Sequence, residues 1–163
     1  MSLVIHHLAP DDIGLMESML VMFGEAFGDM DTYTGNRPHA SYLGRLLGGD
    51  SFIALAALKG GKVVGGIAAY ELRKFEQERS EVYIYDLAVL EGHRREGIAT
   101  ELISNLKGVA AKRGAYVIFV QADQGIEDEP AIALYTKLGV RENILHFDIA
   151  VEEAHNKAKH GDR

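Results

Sequence analysis

The sequence predicts an α/β chain with a mixed central sheet and helices on both of its faces. Three observations carry this. Strand-like and helix-like segments follow in the order β-α-α-β-β-β-α-β-α-β. Two of the strands flank Lys59-Gly60-Gly61-Lys62, a hairpin signal that implies antiparallel pairing. The later strands alternate with helical segments, the crossover pattern that parallel pairing requires.

Leu3–Leu8 reads as the first strand. Pro10-Asp11-Asp12 then opens a helix with Ile13, Met16, Leu20, Phe23 and Phe27 at helical spacing, broken at Gly28-Asp29-Met30-Asp31. Asn36-Arg37-Pro38 marks a loop, and Ser41–Leu47 a second helix stopped by Gly48-Gly49. Phe52–Leu58 and Val63–Leu72 are the hairpin strands. Lys74 to Ser80 is a charged connection to the strand Glu81–Leu90. The next helix carries Ile98, Leu102, Leu106 and Val109 on one stripe, and Tyr116–Val120 is a compact strand. Asp123 to Glu129 is an acidic loop. Pro130–Leu138 is a short helix with Asp128 at its N-cap position and Gly139 as its stop. Asn143–Val151 reads as the last strand. Residues 1–151 are thus expected to form a single domain, followed by a polar tail over 152–163.

With 163 residues and 47% hydrophobic content the chain can build one sizeable core. No run approaches the roughly 18 apolar residues of a membrane span, and the start lacks a secretory pattern. The absence of cysteine excludes disulfides, thiolate metal sites and a cysteine nucleophile, and suits a reducing compartment. A cytoplasmic location is expected. The net charge of -7 opposes nucleic-acid binding and suits a cationic partner. No histidine has metal-ligand spacing, so no metal is expected.

Arg94-Arg95-Glu96-Gly97-Ile98-Ala99 stands where the strand Glu81–Leu90 feeds the following helix. An Arg-x-x-Gly-x-Ala turn at a helix N-terminus offers unpaired N–H groups, a positive dipole end and guanidinium groups, which together suit a pyrophosphate. Neither the three glycines of a dinucleotide fingerprint nor a Gly-Lys-Ser/Thr phosphate loop is present. In the strand before it, Val82 and Ile84 alternate with Tyr83 and Tyr85, so Asp86 falls in register with the apolar pair. A carboxylate there is either buried with a partner or the mark of a bulge that resets the alternation.

These features resemble the GCN5-related N-acetyltransferases over nearly the whole chain. Arg94-x-x-Gly97-x-Ala99 is similar to their acetyl-coenzyme A pyrophosphate loop. Asp86-Leu87-Ala88-Val89 is similar to their bulged strand, whose backbone pairs with pantetheine. Ala131 to Gly139 is similar to their motif Ala-x-x-Leu-Tyr-x-Lys-x-Gly. More narrowly, Tyr42-Leu43-Gly44-x-Leu46-Leu47, Ser51–Ala57, Lys74-Phe75-Glu76-Gln77, Tyr83–Val89 and Ala115–Asp123 resemble the first class of aminoglycoside 3-N-acetyltransferases. Gly125-Ile126-Glu127-Asp128-Glu129 is longer than that family's acidic loop, so the antibiotic range stays open.

The resemblance implies acetyl-CoA as cofactor, held by Leu87, Ala88, Val89, Arg94, Arg95, Glu96, Gly97, Ile98 and Ala99. It implies direct transfer to the 3-amino group of a 2-deoxystreptamine antibiotic such as gentamicin, with Tyr135 protonating the departing sulfur. A polycationic acceptor calls for several carboxylates. Asp123 is the first choice as base or amine anchor, and Asp86, Glu127, Glu129 and Asp148 complete the expected acceptor set. A polyamine or protein amine as acceptor, a non-catalytic acyl-CoA-binding role, and a homodimer all stay open.

Overall fold

A computed structural model describes residues 2–125 and 128–152. The chain divides into two compact units, Met1–Gln121 and Ala122–Arg163, each taken by itself below. The expected site residue Glu127 and the tail from residue 153 onward lie outside the described residues.

The first unit is a five-stranded sheet in the order β1 (Leu3–His7), β2 (Phe52–Lys59), β3 (Lys62–Arg73), β4 (Ser80–Val89), β5 (Ala115–Val120). Neighbours are antiparallel except β4 and β5, which run parallel. That is the mixed sheet expected from a hairpin followed by a crossover helix.

Helix α1 (Ile13–Phe27) buries Met16, Met19, Met22 and Phe23, residues three or four apart that share a face. With α3 (Ala40–Gly48) it covers one face of the sheet, gathering Phe52, Ala54, Ala56, Ala68 and Ala88 into a core. Helix α4 (Ile98–Lys112) covers the other face with Ile98, Leu102, Ile103, Leu106 and Ala110. Two adjacent glycines of β3 show how closely both layers approach. A side-chain carbon on Gly66 would stand 2.8 Å from the Met19 methyl of α1, and one on Gly65 would stand 3.3 Å from Ile98 of α4. At the sheet's end, Glu71 is only 7% exposed, and Arg113 after α4 pairs with it at 3.1 Å while also bonding the Asp50 carbonyl.

One difference from the sequence-based expectation concerns the first unit. Met30–Thr34, read as part of a break, forms a short helix, α2; Asp29 caps it by accepting a bond from the Thr32 N–H. Such a short helix shows no periodicity, so only its cap signals it. Asp12 precedes α1 but does not cap it, because its carboxylate accepts from the Ala9 N–H and faces His6 at 2.9 Å.

In the second unit, α5 (Glu129–Leu138) is the expected helix and ends at Gly139. Asp128 holds the N-cap position without capping; its carboxylate accepts from the Asp123 N–H at 2.8 Å. The expected strand Asn143–Val151 is not formed: the described residues 141–150 carry no helix or strand. Ile144, Leu145, Phe147 and Ile149 there are exposed. Alternation expresses a preference for extended backbone, but a strand exists only where a second edge receives its hydrogen bonds, and this segment has none among the described residues.

Candidate active site

The bulge that Asp86 signalled is present. Ala68 pairs with Asp86 while Ala69 pairs with Ile84, so Tyr85 is an extra residue in β4. It moves Asp86 out of the alternation of Val82 and Ile84. Asp86 also has a partner: the Tyr33 hydroxyl donates to its Oδ2 at 2.9 Å. The two alternatives left open by the sequence therefore hold together.

Tyr33 was not legible as a site residue. It lies on α2, wedged between Phe23 at 5.8 Å and Phe27 at 5.7 Å, ring centre to ring centre. Burial pushes the Asp86 carboxyl from the ordinary 3.8 up to about 6, with the Tyr33 bond pulling the other way. Burial, and then the charge of Asp86, raise the Tyr33 phenol. Among the described residues no lysine, arginine or histidine forms an ion pair with Asp86. A half-buried carboxylate with one neutral donor and no counter-charge is one whose ionised form a nearby cation would stabilise.

On the other edge of β4, pairing with β5 ends at Ile84 and Val120. From Tyr85 through Val89 that edge meets no further strand among the described residues, so backbone groups of this stretch are open to a ligand. Beyond a single 3-10 turn at Glu91–His93, the chain enters α4 through Arg95 and Gly97, both in the left-handed region at φ 66° and 79°. Gly97 occupies the N-cap position and supplies no capping side chain, which leaves the first N–H groups of α4 without an intrahelical partner. Nothing lies within 4 Å of where a Gly97 side chain would begin. An uncapped helix start facing open space, after two left-handed residues, fits a diphosphate.

The loop's side chains divide their work. Glu96 is paired with Lys59 at 3.0 Å and lies 3.3 Å from His93. Its carboxyl sits below the usual range, chiefly through the Lys59 bond. Arg94 donates from Nε to the Val89 carbonyl at 3.2 Å and from Nη2 to the Ala26 carbonyl at 3.5 Å, tying the loop to β4 and α1. Glu96 and Arg94 thus brace the turn, and Arg95 projects from it exposed.

The first unit therefore brings together Asp86, Leu87, Ala88, Val89 and the turn Arg94 to Ala99. The second unit holds Asp123, Glu129, Tyr135 and Asp148. Tyr135 is half-buried on α5, Glu129 opens that helix, and Asp148 lies 2.9 Å from His146. Among the described residues no group of three His, Asp or Glu could hold a metal ion, and no helix is long and apolar enough to cross a membrane.

A family model described as acetyltransferase (GNAT) family matches residues 16–140. Among solved structures, an aminoglycoside acetyltransferase from an uncultured soil metagenomic sample is 69% identical, with a TM-score of 0.92 over 93% of this chain and 100% of that one. A second metagenomic aminoglycoside acetyltransferase, solved in complex with sisomicin, is 29% identical, with a TM-score of 0.82 over 92% of this chain and 97% of that one. The aminoglycoside N-acetyltransferase AAC(6′)-Iy, solved with CoA, is 15% identical at a TM-score of 0.69 over 92% of this chain and 95% of that one, and shares the fold. No curated protein matches.

Proposed function

Because the chain belongs to the acetyltransferase (GNAT) family and is an acetyl-CoA-dependent N-acetyltransferase, we propose that it acetylates the 3-amino group of a 2-deoxystreptamine aminoglycoside such as gentamicin. The observation that carries the acceptor is Asp86, a carboxylate withdrawn from water with a tyrosine hydroxyl for company and no cation of its own. An acceptor ammonium would supply the missing counter-charge. The likeness to aminoglycoside acetyltransferases, one of them solved with sisomicin, supports the acceptor class. The acidic balance of the chain suits a polycation.

Acetyl-CoA supplies a thioester, an activated acyl group that a neutral amine accepts directly. The open edge of β4 from Leu87 to Val89 would hold the pantetheine arm, and the N–H groups from Gly97 to Ala99 with Arg95 the diphosphate. In the proposal Asp86, with Glu127, Glu129 and Asp148, receives the acceptor's ammonium groups. Asp123 takes the proton that the attacking amine must lose. Tyr135 gives its phenolic proton to the departing sulfur; a phenol ordinarily keeps that proton at neutral pH.

The test is thiol release from acetyl-CoA with gentamicin, spermidine and a peptide amine, followed by NMR of the product. Acetylation of gentamicin at the 3-amino group supports the reading. Acetylation at a 6′-amine, or brisk transfer to spermidine with none to gentamicin, overturns the acceptor and leaves the family assignment standing. Tyr135→Phe is expected to lower turnover with acetyl-CoA affinity intact; wild-type turnover removes the assigned role of Tyr135.

A further inference from the structure

An unbroken row of aromatic rings crosses four strands of the sheet beside Asp86. Phe52 of β2 meets Tyr70 of β3 at 5.3 Å. Tyr70 meets Tyr85 of β4 edge-on at 5.8 Å and 87°. Tyr85 meets Tyr83 at 6.1 Å, and Tyr83 stacks on Phe119 of β5 at 4.8 Å with the planes 7° apart. The row lies on the sheet face covered elsewhere by α1 and α3, because Tyr70 packs against that core.

Tyr85 differs from the rest of the row. It is the extra residue of the bulge and is 61% exposed, although two neighbouring rings hold its orientation. An exposed ring adds little to the core, and a ring fixed by two others has little side-chain freedom left to lose on binding a ligand. The next residue in the chain is the half-buried carboxylate. Burial, then Tyr85, then Tyr42 and Asp86 raise the Tyr70 phenol. Tyr42 of α3 is itself 53% exposed. Aromatic faces beside an uncompensated carboxylate recognise a cation whose body is apolar: the charge goes to the carboxylate and the π-cloud, the C–H face to the ring.

We infer that Tyr85, backed by Tyr70, is a specificity-determining platform for an aminosugar ring of a polycationic acceptor, next to the amine held by Asp86. The inference rests on the aminoglycoside function proposed for this site and adds a binding element that carboxylates alone do not provide. It predicts discrimination between an aminoglycoside and its bare core ring. The core ring satisfies Asp86, and only the decorated molecule reaches the platform.

The experiment compares wild type, Tyr85→Leu and Tyr85→Phe in the full chain, with gentamicin and with the free deoxystreptamine core. Calorimetric binding of both is read separately from turnover. Tyr85→Leu is expected to weaken gentamicin about tenfold, in both Kd and KM. Binding of the free core and of acetyl-CoA should stay unchanged in that variant. Tyr85→Phe should stay near wild type. Unchanged gentamicin binding in Tyr85→Leu overturns the platform, and so does an equal loss for both acceptors. Weakened gentamicin binding in Tyr85→Leu, with no turnover even in wild type, upholds the platform and overturns the proposed reaction. Failure of wild type to bind gentamicin overturns both.

Discussion

Replacing Asp86 by Asn tests the burial of the carboxylate without any ligand. Asn keeps an oxygen for the Tyr33 hydroxyl and removes the ionisation. In the native chain burial lifts the carboxyl from 3.8 to about 6. Between those values the folded protein holds a proton that the unfolded chain has released, so stability falls as pH rises through that window. The contribution is complete below the lower value and lost above the upper one. About two pH units at 1.36 kcal/mol each correspond to roughly 3 kcal/mol, reduced to roughly 2–3 kcal/mol by the water that still reaches one side of the group. Urea unfolding of wild type and Asp86→Asn at pH 4, 5, 6 and 7 isolates this effect, because the other titrating groups cancel in the difference. Wild-type stability relative to the variant is expected to fall by that amount from pH 4 to pH 7. A flat difference would show a solvated carboxylate and remove the physical basis for Asp86 as a cation receptor. A difference that rises with pH would show native donors stabilising the charge.

Gly97→Asp is expected to raise the coenzyme A dissociation constant at least about tenfold, because a side chain and a like charge enter the space before the α4 N-terminus; unchanged affinity by calorimetry in a folded variant refutes the assignment of this turn. Arg113→Met leaves Glu71 buried without its cation and should cost about 3 kcal/mol in urea unfolding, much of it recovered in the double variant with Glu71→Gln. Gly66→Val must displace the Met19 and Met22 methyls, 2.8 and 3.2 Å from the new carbon, and should lower stability by about 1–3 kcal/mol.

The elements with local signatures were legible in the sequence. The hairpin turn, the stripe on α1 and the stripe on α4 each repeat within a dozen residues or so, and the Arg-x-x-Gly-x-Ala turn is contiguous. Even the bulge announced itself, because Asp86 stands where alternation calls for an apolar residue. What stayed illegible depends on contacts between distant segments. Tyr33 meets Asp86 across 53 positions from a helix too short to show a period. The aromatic row joins positions 52, 70, 83, 85 and 119, and no local spacing reveals it. The bonds from the Arg94 guanidinium to the Val89 and Ala26 carbonyls likewise join segments that the turn's own spacing does not show. The segment 143–151 has the composition of a strand, but composition cannot supply the neighbouring edge.

Tyr85 acts on β4 as a frameshift acts on a message. Before it, Val82 and Ile84 are addressed to one layer; after it, Asp86 and Ala88 are addressed to the other. Deleting Tyr85 would leave both addresses intact, because the remaining residues would alternate as an ordinary strand. A one-residue loss elsewhere between Val82 and Ala88 would misdeliver part of the strand unless the bulge itself were used up to absorb it. The fold can thus do without this residue at the one position where removing it also removes the exposed ring. Deletion of Tyr85 is therefore the change that would keep each flanking side chain in its own layer while removing the bulge and the exposed ring together.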